Sequence, residues 1–467
     1  MDRLKNVFAP VKADPDEYSP LTDSDDDDSR SGTLEGEVYE EQSPFSWIEY
    51  SIFAFIGVAM LWAWNMFLAA APYFQSRFVS DPWMQDTSQS AILAVSTTTN
   101  LVTMLVLTNM QSSASYPFRI NTALFLNVAV FTLLTISTSH FLDASTGAYF
   151  AFLLVMVGIT ALASGLMQNG AFAFAASFGR TEYTQAIMAG QGVAGILPPL
   201  TQMLSYLAFS PAEPALDPAR RTAEDDGPQE SSTAAFIYFL TAVIISGITL
   251  LAFLPLVNRH NRIVERRLAE QQDLSQSVTS IEEAERANRR YVSMSTLFRK
   301  LRWVSVSVSM CFAVAMFFPV FTAKILSVHN ADSDGKLYAP GAFIPLGFFF
   351  WNLGDLTGRV ATMFPFSLRH RPKALFAIAM GRWLFLPLYF LCNIGGRGAV
   401  VKSDLFYLVA VQFPFGLTSG WLGSSAMMAA GEWVGEWERE AAGGFMGMCL
   451  VAGLTVGSLL SFTAAGV

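Results

Sequence analysis

Charge is scarce in this sequence. Of its 467 residues, only 14% are Asp, Glu, Lys or Arg, whereas 52% are hydrophobic. Soluble globular domains carry about 25% charged residues, so a large soluble fold would lack the polar surface that it needs. The apolar residues also stand in long blocks, each near the roughly 20 residues with which a helix crosses a bilayer. The sequence therefore predicts an all-α polytopic membrane protein, with the lipid bilayer as its surroundings.

Cysteines, glycosylation sites and leader-like segments are also few or absent. The three cysteines all lie inside apolar blocks, which indicates small buried side chains and leaves no disulfide framework and no metal-binding spacing. No Asn-x-Ser/Thr triplet occurs. The N-terminus has no basic segment followed by an apolar core, so we expect no cleavable signal peptide and expect the first spanning helix to act as the signal. We predict no metal, no cofactor and no nucleic-acid partner.

The apolar blocks number eleven, and they predict eleven transmembrane helices. They span residues 46–75, 88–111, 117–140, 147–178, 182–209, 233–257, 299–327, 340–366, 373–395, 403–430 and 441–464. A long charged stretch separates six blocks from five, and two bundles joined in this way are typical of rocking-bundle transporters. The predicted parts are an acidic, disordered cytosolic tail at 1–43, a six-helix bundle at 44–257, a cytosolic linker loop at 258–298 and a five-helix bundle at 299–467.

The distribution of lysine and arginine predicts the orientation of these spans. Alternate loops are rich in positive charge, and cytosolic loops of membrane proteins carry such an excess. The positive residues of that set are Arg119, Arg180, the run 259–302, the cluster 369–373 and Arg439. The same set adjoins the N-terminal tail, so we predict a cytosolic N-terminus. Because the number of spans is odd, the C-terminus at Val467 is predicted to be extracytosolic.

Polar side chains lie in the middle of the eighth block, in the stretch FFFWNLGDLTGR at 348–359. Asp355 and Arg359 are four residues apart, so they share one helix face and can pair. Asn352 and Phe348 continue the same stripe at helical spacing. Ionisable groups at this depth are costly in lipid and usually face a bundle interior or a water-filled cavity. They predict either one wall of a cavity for a polar solute or an ion pair that only ties two helices together.

Other blocks contribute weaker signals of the same kind. The amides and aromatics deep in those blocks are Trp64, Asn65, Gln168, Gln191 and Phe318. Pro319 is expected to kink the seventh span. Gly354 and Gly358 form a small-xxx-small pair that would let another helix approach closely. Together these residues predict a cavity of amides, aromatics and one ion pair, which suits a neutral, flat, hydroxylated solute better than a bare ion.

Four stretches resemble the equilibrative nucleoside transporter family: WNMFLAAAPYF, IMAGQGVAG, FFFWNLGDLTGR and GWLGSSAMMAAG followed by EREAAGGFMGM. The resemblance covers residues 46–464, and LFRKLRW at the start of the seventh span resembles the fungal branch. It implies eleven spans in six-plus-five bundles related to the major facilitators. It also implies alternating access and facilitated diffusion of nucleosides such as adenosine and uridine, with nucleobases as further substrates in some members.

The resemblance implies roles for individual residues. Asp355 and Arg359 would engage the ribose hydroxyls, with Asn352 beside them, and Gln168 would contact the base. The first-span and aromatic cavity positions would be Trp64, Phe318 and Phe348, with Asn65 at the extracytosolic gate. Two positions depart from the pattern of well-known animal members. The fourth span reads QNG instead of Gln-Gly-Ser, and Leu68 stands where some members have methionine, so base preference is left open.

Proteins of other classes could use the same residues. Asp355 could couple transport to protons, but Arg359 beside it keeps the carboxylate charged and favours plain facilitated diffusion. A facilitator of another small polar solute, such as a sugar, would also use an amide-lined cavity. A filter-type channel would need re-entrant loops or repeated polar rings. An intramembrane protease would need a second buried aspartate, which the blocks lack, so we predict that the chain is not an enzyme.

The acidic tail contains one targeting signal. Tyr18-x-x-Leu21 has the tyrosine-based shape that sorting adaptors bind, and an acidic run follows it. This pattern predicts a sorting adaptor as a partner and favours the vacuolar or lysosomal membrane over the plasma membrane.

Overall fold

A computed structural model describes residues 45–111, 115–140, 142, 144–209, 228–271, 292–329, 335–364, 368–461 and 463. Almost all regular structure in these ranges is helical, and the β structure there is one isolated antiparallel bridge between Ile325 and Ile394. The tail with its Tyr18–Leu21 signal and the stretch 272–291, about half of the predicted linker, lie outside the described residues. The predicted all-α class is confirmed for the part of the chain that the structure describes.

The described residues of the first half of the chain form seven helices. They are α1 (Trp47–Ala69), α2 (Ala71–Arg77), α3 (Pro82–Asn109), α4 (Tyr116–Ser137), α5 (Thr146–Ser177), α6 (Thr181–Phe209) and α7 (Pro228–Gln271). Serine or aspartate side chains cap several of them; the Ser46 hydroxyl, for example, accepts from the backbone N–H of Glu49 at 3.5 Å. Because α7 continues to Gln271, the first part of the predicted linker is helical.

The second half has shorter and more broken helices. They are α8 (Met294–Ala315), α9 (Phe318–Thr322), α10 (Pro340–Ala361), α11 (Pro372–Gly381), α12 (Phe385–Tyr389), α13 (Phe413–Ala429) and α14 (Arg439–Ser461). A 3₁₀ turn at Arg382–Leu384 joins α11 to α12, and a π-helix at Phe406–Gln412 precedes α13. The predicted kink at Pro319 is confirmed, since the seventh block breaks between α8 and α9 at this proline.

Seven helical segments among the described residues are long and apolar enough to cross a membrane. They are Trp47–Ala69, Thr87–Asn109, Tyr116–Ser137, Thr146–Ser177, Ser232–Arg262, Met294–Thr322 and Glu436–Ser461. The other predicted spans also contain helix: α11 to α13 are interrupted by 3₁₀ and π turns, and α6 and α10 are continuous helices with internal prolines. The count of eleven spans therefore remains a prediction.

Glycines bring the central helices into close contact. On α10, Gly354 and Gly358 face the carbonyl oxygens of Phe413 and Leu417 on α13, with no room for a Cβ atom. The predicted close approach at this small-residue pair is confirmed, and α13 is the helix that approaches. Gly420 of α13 in turn packs against the backbone of α10, at the carbonyl oxygen of Asp355. The two backbones thus touch where the polar stripe lies.

Helix α6 joins the two halves. It packs against α1 through glycines at Gly57 and Gly190, and it packs antiparallel against α10 along its whole length. Contacts from Gly192 to Arg359, Gly195 to Asn352 and Tyr206 to Gly341 mark that second seam. The central polar residues of α10 are therefore placed against a helix of the other half.

The loops that are rich in arginine lie at one end of the bundle, here called the arginine-rich end. Arg259 of α7 pairs with Glu49 at the start of α1. Arg369 donates to the hydroxyl of Thr181 at the start of α6, with 2.8 Å between Nη1 and Oγ1. At the opposite end, the loop around Ser80 bonds to the start of α5. These contacts bring the arginine-rich loops together at one end of the bundle, and positive-inside counting places the same loops on one side of the membrane.

Candidate functional site

The Asp355–Arg359 pair is the centre of the candidate site. Its Oδ2 and Nε atoms are 2.6 Å apart across one helical turn, so the predicted pairing is confirmed. Asp355 is 4% exposed and Arg359 is 6% exposed. The second carboxylate oxygen, Oδ1, is buried and has no hydrogen-bond partner. Buried charges normally satisfy every lone pair, so Asp355 holds an unused acceptor.

Arg359 reaches from the second half of the chain into the first. Its Nη1 atom donates to the carbonyl oxygen of Met188 at 2.8 Å and to Oε1 of Gln191 at 3.2 Å, both on α6. The fifth-block amide Gln191 therefore belongs to the same cluster. The ion pair lies at the seam between the halves, where a relative movement of the halves would change its contacts.

Asn352 and Phe348 continue the stripe along α10. The Asn352 side chain donates to its own helix, at the carbonyl oxygen of Phe348, with a separation of 2.8 Å. Its Oδ1 faces Gly195 of α6, where a Cβ would come within 2.5 Å. The amide thus lies beside the seam, one turn from Asp355, as its spacing predicts.

Aromatic rings extend the cluster toward the break between α8 and α9. Phe318 stacks on Trp351 with a centroid distance of 3.8 Å and an interplanar angle of 2°, and it contacts Phe348 edge to face at 5.5 Å. The indole N–H of Trp351 is buried without a partner. The predicted Phe318 and Phe348 are therefore brought together, and Trp351 is an aromatic member that pattern reasoning missed.

The predicted first-span residues lie on α1, which packs against α6. Asn65 donates from Nδ2 to the carbonyl oxygen of Ala194 at 2.8 Å. Trp64 is half-buried and packs in the apolar core of the first half. Ala194 lies near the middle of α6, three residues beyond Gln191, so Asn65 is linked to the ion-pair cluster through α6.

Gln168 lies at a different seam. It is buried on α5, and its side chain faces Gly447 of α14. Its neighbour Asn169 accepts a hydrogen bond from Arg119, which also bonds to the carbonyl of Met110 at 2.8 Å. Arg119, predicted to lie in a loop, is buried in the first turn of α4. The structure thus places Gln168 on a second contact between the halves, separate from the ion pair.

Arg382 is a buried cation that pattern reasoning missed. It is 1% exposed, it donates to the carbonyl oxygen of Cys311 at 2.6 Å, and its guanidinium lies 5.0 Å from the centroid of the Phe415 ring. The sequence does contain a signal for this burial, because Arg382 lies well inside the ninth apolar block. Among the described residues, no group of three or more His, Cys, Asp or Glu is arranged to hold a metal ion.

Structural comparison identifies the class of fold. The chain is similar to an outward-facing major facilitator superfamily transporter, FucP, with a TM-score of 0.52, 16% identity and coverage of 90% of this chain and 92% of that one. It is also similar to the human organic anion transporter MFSD10, with a TM-score of 0.51, 14% identity and coverage of 89% and 93%. The fold is that of a major-facilitator-type transporter.

Sequence comparison identifies the family. The family model for nucleoside transporters matches residues 153–465. Nucleoside transporter FUN26 of Saccharomyces cerevisiae is 29% identical over 448 residues, with 89% of this chain and 83% of that protein covered. Equilibrative nucleoside transporter 1 of Mus musculus is 25% identical, with 88% and 95% covered. The chain belongs to the nucleoside transporter family, and it is therefore a carrier and not an enzyme.

Proposed function

We propose that this chain moves nucleosides, adenosine and uridine among them, across a membrane by facilitated diffusion with alternating access. Membership of the nucleoside transporter family supports the substrate class. The major-facilitator-type fold supports the mechanism, since such bundles rock around a site between their halves. The eleven spans, the bundles at 44–257 and 299–467, and a cytosolic N-terminus with an extracytosolic C-terminus are parts of this proposal.

One observation carries the assignment of the site: Asp355 has a buried carboxylate oxygen with no partner, at the seam between the halves. A carboxylate oxygen accepts hydrogen bonds only, and ribose offers hydroxyl donors. Arg359 holds the other carboxylate oxygen at 2.6 Å, so Asp355 is fixed in position before a solute enters. In this proposal Asp355 accepts hydrogen bonds from the ribose hydroxyls, and Arg359 holds the Asp355 carboxylate in position.

The remaining predicted residues have supporting roles in this proposal. Asn352 offers an amide one turn away, and Gln168 contacts the base from the second seam. Asn65 closes the opposite end of the path through its bond to α6. The aromatic positions that pack against the nucleobase are Trp64, Phe318 and Phe348. Flat aromatic faces suit a flat ligand, since offset stacking is favourable.

Competition of uptake tests the proposed substrate class. Radiolabelled uridine uptake should be blocked by excess unlabelled adenosine and should be unaffected by excess glucose. Block by glucose with no block by adenosine would favour a sugar facilitator. Uptake measured at two pH values separates plain diffusion from proton coupling, and we expect no stimulation by acid.

The site of residence is proposed from the tail signal. We infer a vacuolar or lysosomal membrane with a sorting adaptor at Tyr18–Leu21, which lies outside the described residues. A fluorescently tagged Tyr18→Ala variant should move to the plasma membrane. If its distribution matches that of the unaltered protein, the signal has no part in targeting.

A further inference from the structure

Gln185 of α6 makes a hydrogen-bonded bridge between the two halves. The side chain is 1% exposed. Its Oε1 accepts from the hydroxyl of Tyr50 on α1 at 2.6 Å, and its Nε2 donates to the backbone carbonyl of Arg359 on α10 at 3.0 Å. A carbonyl oxygen can only accept, so the amide nitrogen must face Arg359, and the orientation of the amide is fixed by its partners.

The bridge lies between the ion pair and the arginine-rich end. Gln185, Met188 and Gln191 follow one face of α6, and Gln185 is the member nearest the start of the helix at Thr181. At about 1.5 Å of rise per residue, Gln185 lies about 9 Å from Gln191, which contacts the Arg359 guanidinium. Gln185 therefore lies on the side of the ion pair that faces the arginine-rich end.

Two cavities lie beyond the bridge, toward the arginine-rich end. The larger, of about 230 Å³, is lined by residues of both halves, including Ala176 and Thr184 from the first and Met428 and Gly443 from the second. The smaller, of about 150 Å³, is lined in part by Gln185 itself. The smaller cavity thus reaches the bridge, and the Asp355–Arg359 pair lines neither cavity.

We propose that Gln185 is the gate-positioning residue that separates the ion-pair site from these two cavities. This inference rests on the proposed transport function and adds the residue that controls its exit step. Opening of the seam must break the bond from Gln185 to the Arg359 carbonyl. That bond involves the backbone of Arg359 and leaves the charged atoms of the pair untouched. A change at Gln185 should therefore alter gating without altering recognition of the solute.

The two hydrogen bonds of the bridge predict a graded series of variants. Gln185→Leu removes the donor across the seam. Gln185→Glu keeps an acceptor for Tyr50 but turns a carboxylate toward the Arg359 carbonyl, so it should open the seam more than leucine does. Tyr50→Phe keeps the bond across the seam and should have a small effect. Gln202→Leu is the matched control, because Gln202 is an exposed glutamine on the same helix.

Labelling of a cysteine on the ion-pair side of the bridge measures the opening. Leu356 of α10 lies there, in contact with Gly192 of α6. A Leu356→Cys variant in open membrane fragments, which expose both faces, would be treated with a maleimide. The net value of one hydrogen bond corresponds to about a two- to tenfold change in an equilibrium. We expect Gln185→Leu to raise the labelling rate about two- to tenfold and Gln185→Glu to raise it further. Gln202→Leu should leave the rate unchanged, and protein without Leu356→Cys gives the background.

Uridine transport supplies the second readout. In Gln185→Leu, the KM for uridine should stay within about twofold, since one lost bond far from the solute does not change its contacts, while the maximal rate changes. A labelling rate that is unchanged in both Gln185 variants, in protein that elutes as a single folded species, overturns the inference. If labelling follows the series but no variant or parent transports uridine, the proposed function fails and the gate stands.

Discussion

Removal of the Arg359 guanidinium should destabilise the protein more than removal of the whole ion pair. In Arg359→Met, Asp355 loses the partner of Oδ2 while Oδ1 already has none, so a buried carboxylate is left uncompensated. Removing one member of a buried pair costs about 3–5 kcal/mol. In the double variant Asp355→Asn with Arg359→Met, no buried charge remains, so at least about 2 kcal/mol of that loss should be recovered.

Unfolding of the purified protein in detergent gives the comparison. The parent, the single variant and the double variant would be unfolded by heat and by denaturant, with native helix content as the signal. Both variants should fail to transport uridine, so a difference between their unfolding midpoints reports on stability alone. A double variant as unstable as Arg359→Met would refute the reasoning. The cost would then come from the lost bonds to Met188 and Gln191, with no contribution from the carboxylate.

Three further predictions concern residues outside the pair. Gly420→Val should yield no monodisperse protein by size-exclusion chromatography, because its side chain would overlap the Asp355 carbonyl oxygen. Lys300→Met should lower stability to unfolding by about 1–3 kcal/mol, since Glu438, 1% exposed, loses a partner at 2.7 Å that is itself partly exposed; an unchanged unfolding midpoint would contradict this. Gln168→Ala should change the ranking of purines and pyrimidines in competition assays more than it changes the requirement for ribose, and an unchanged ranking would remove Gln168 from base recognition.

Local spacing accounted for the features that lie within one helix. The i, i+4 separation of Asp355 and Arg359 is enough to predict that they pair, and the glycines at 354 and 358 are enough to predict a close helix contact. The kink at Pro319 follows from the missing N–H of proline. Each of these depends on geometry that residues near in sequence set by themselves.

Contacts between helices that are far apart in sequence could not be predicted from local spacing. Neither the approach of α13 to Gly354 nor the bonds from Arg359 to α6 can be read from spacing, because they depend on how the helices are arranged in space. Arg119 was placed in a loop by its charge, yet it is buried because Asn169 and two carbonyls satisfy its donors. Gln185 gave no signal in the sequence, since an amide near a helix start is usually solvated.

Binding of uridine and of 2′,3′-dideoxyuridine to the parent and to Asp355→Asn tests the central claim most directly. A hydrogen bond to a charged group is worth about 1.5–3 kcal/mol, or about 10- to 100-fold in Kd. The parent should prefer uridine over the dideoxy analogue by such a factor, and Asp355→Asn should reduce that preference close to one. If Asp355→Asn keeps the full preference for uridine, Asp355 does not bind the ribose hydroxyls and the assignment of the site is wrong.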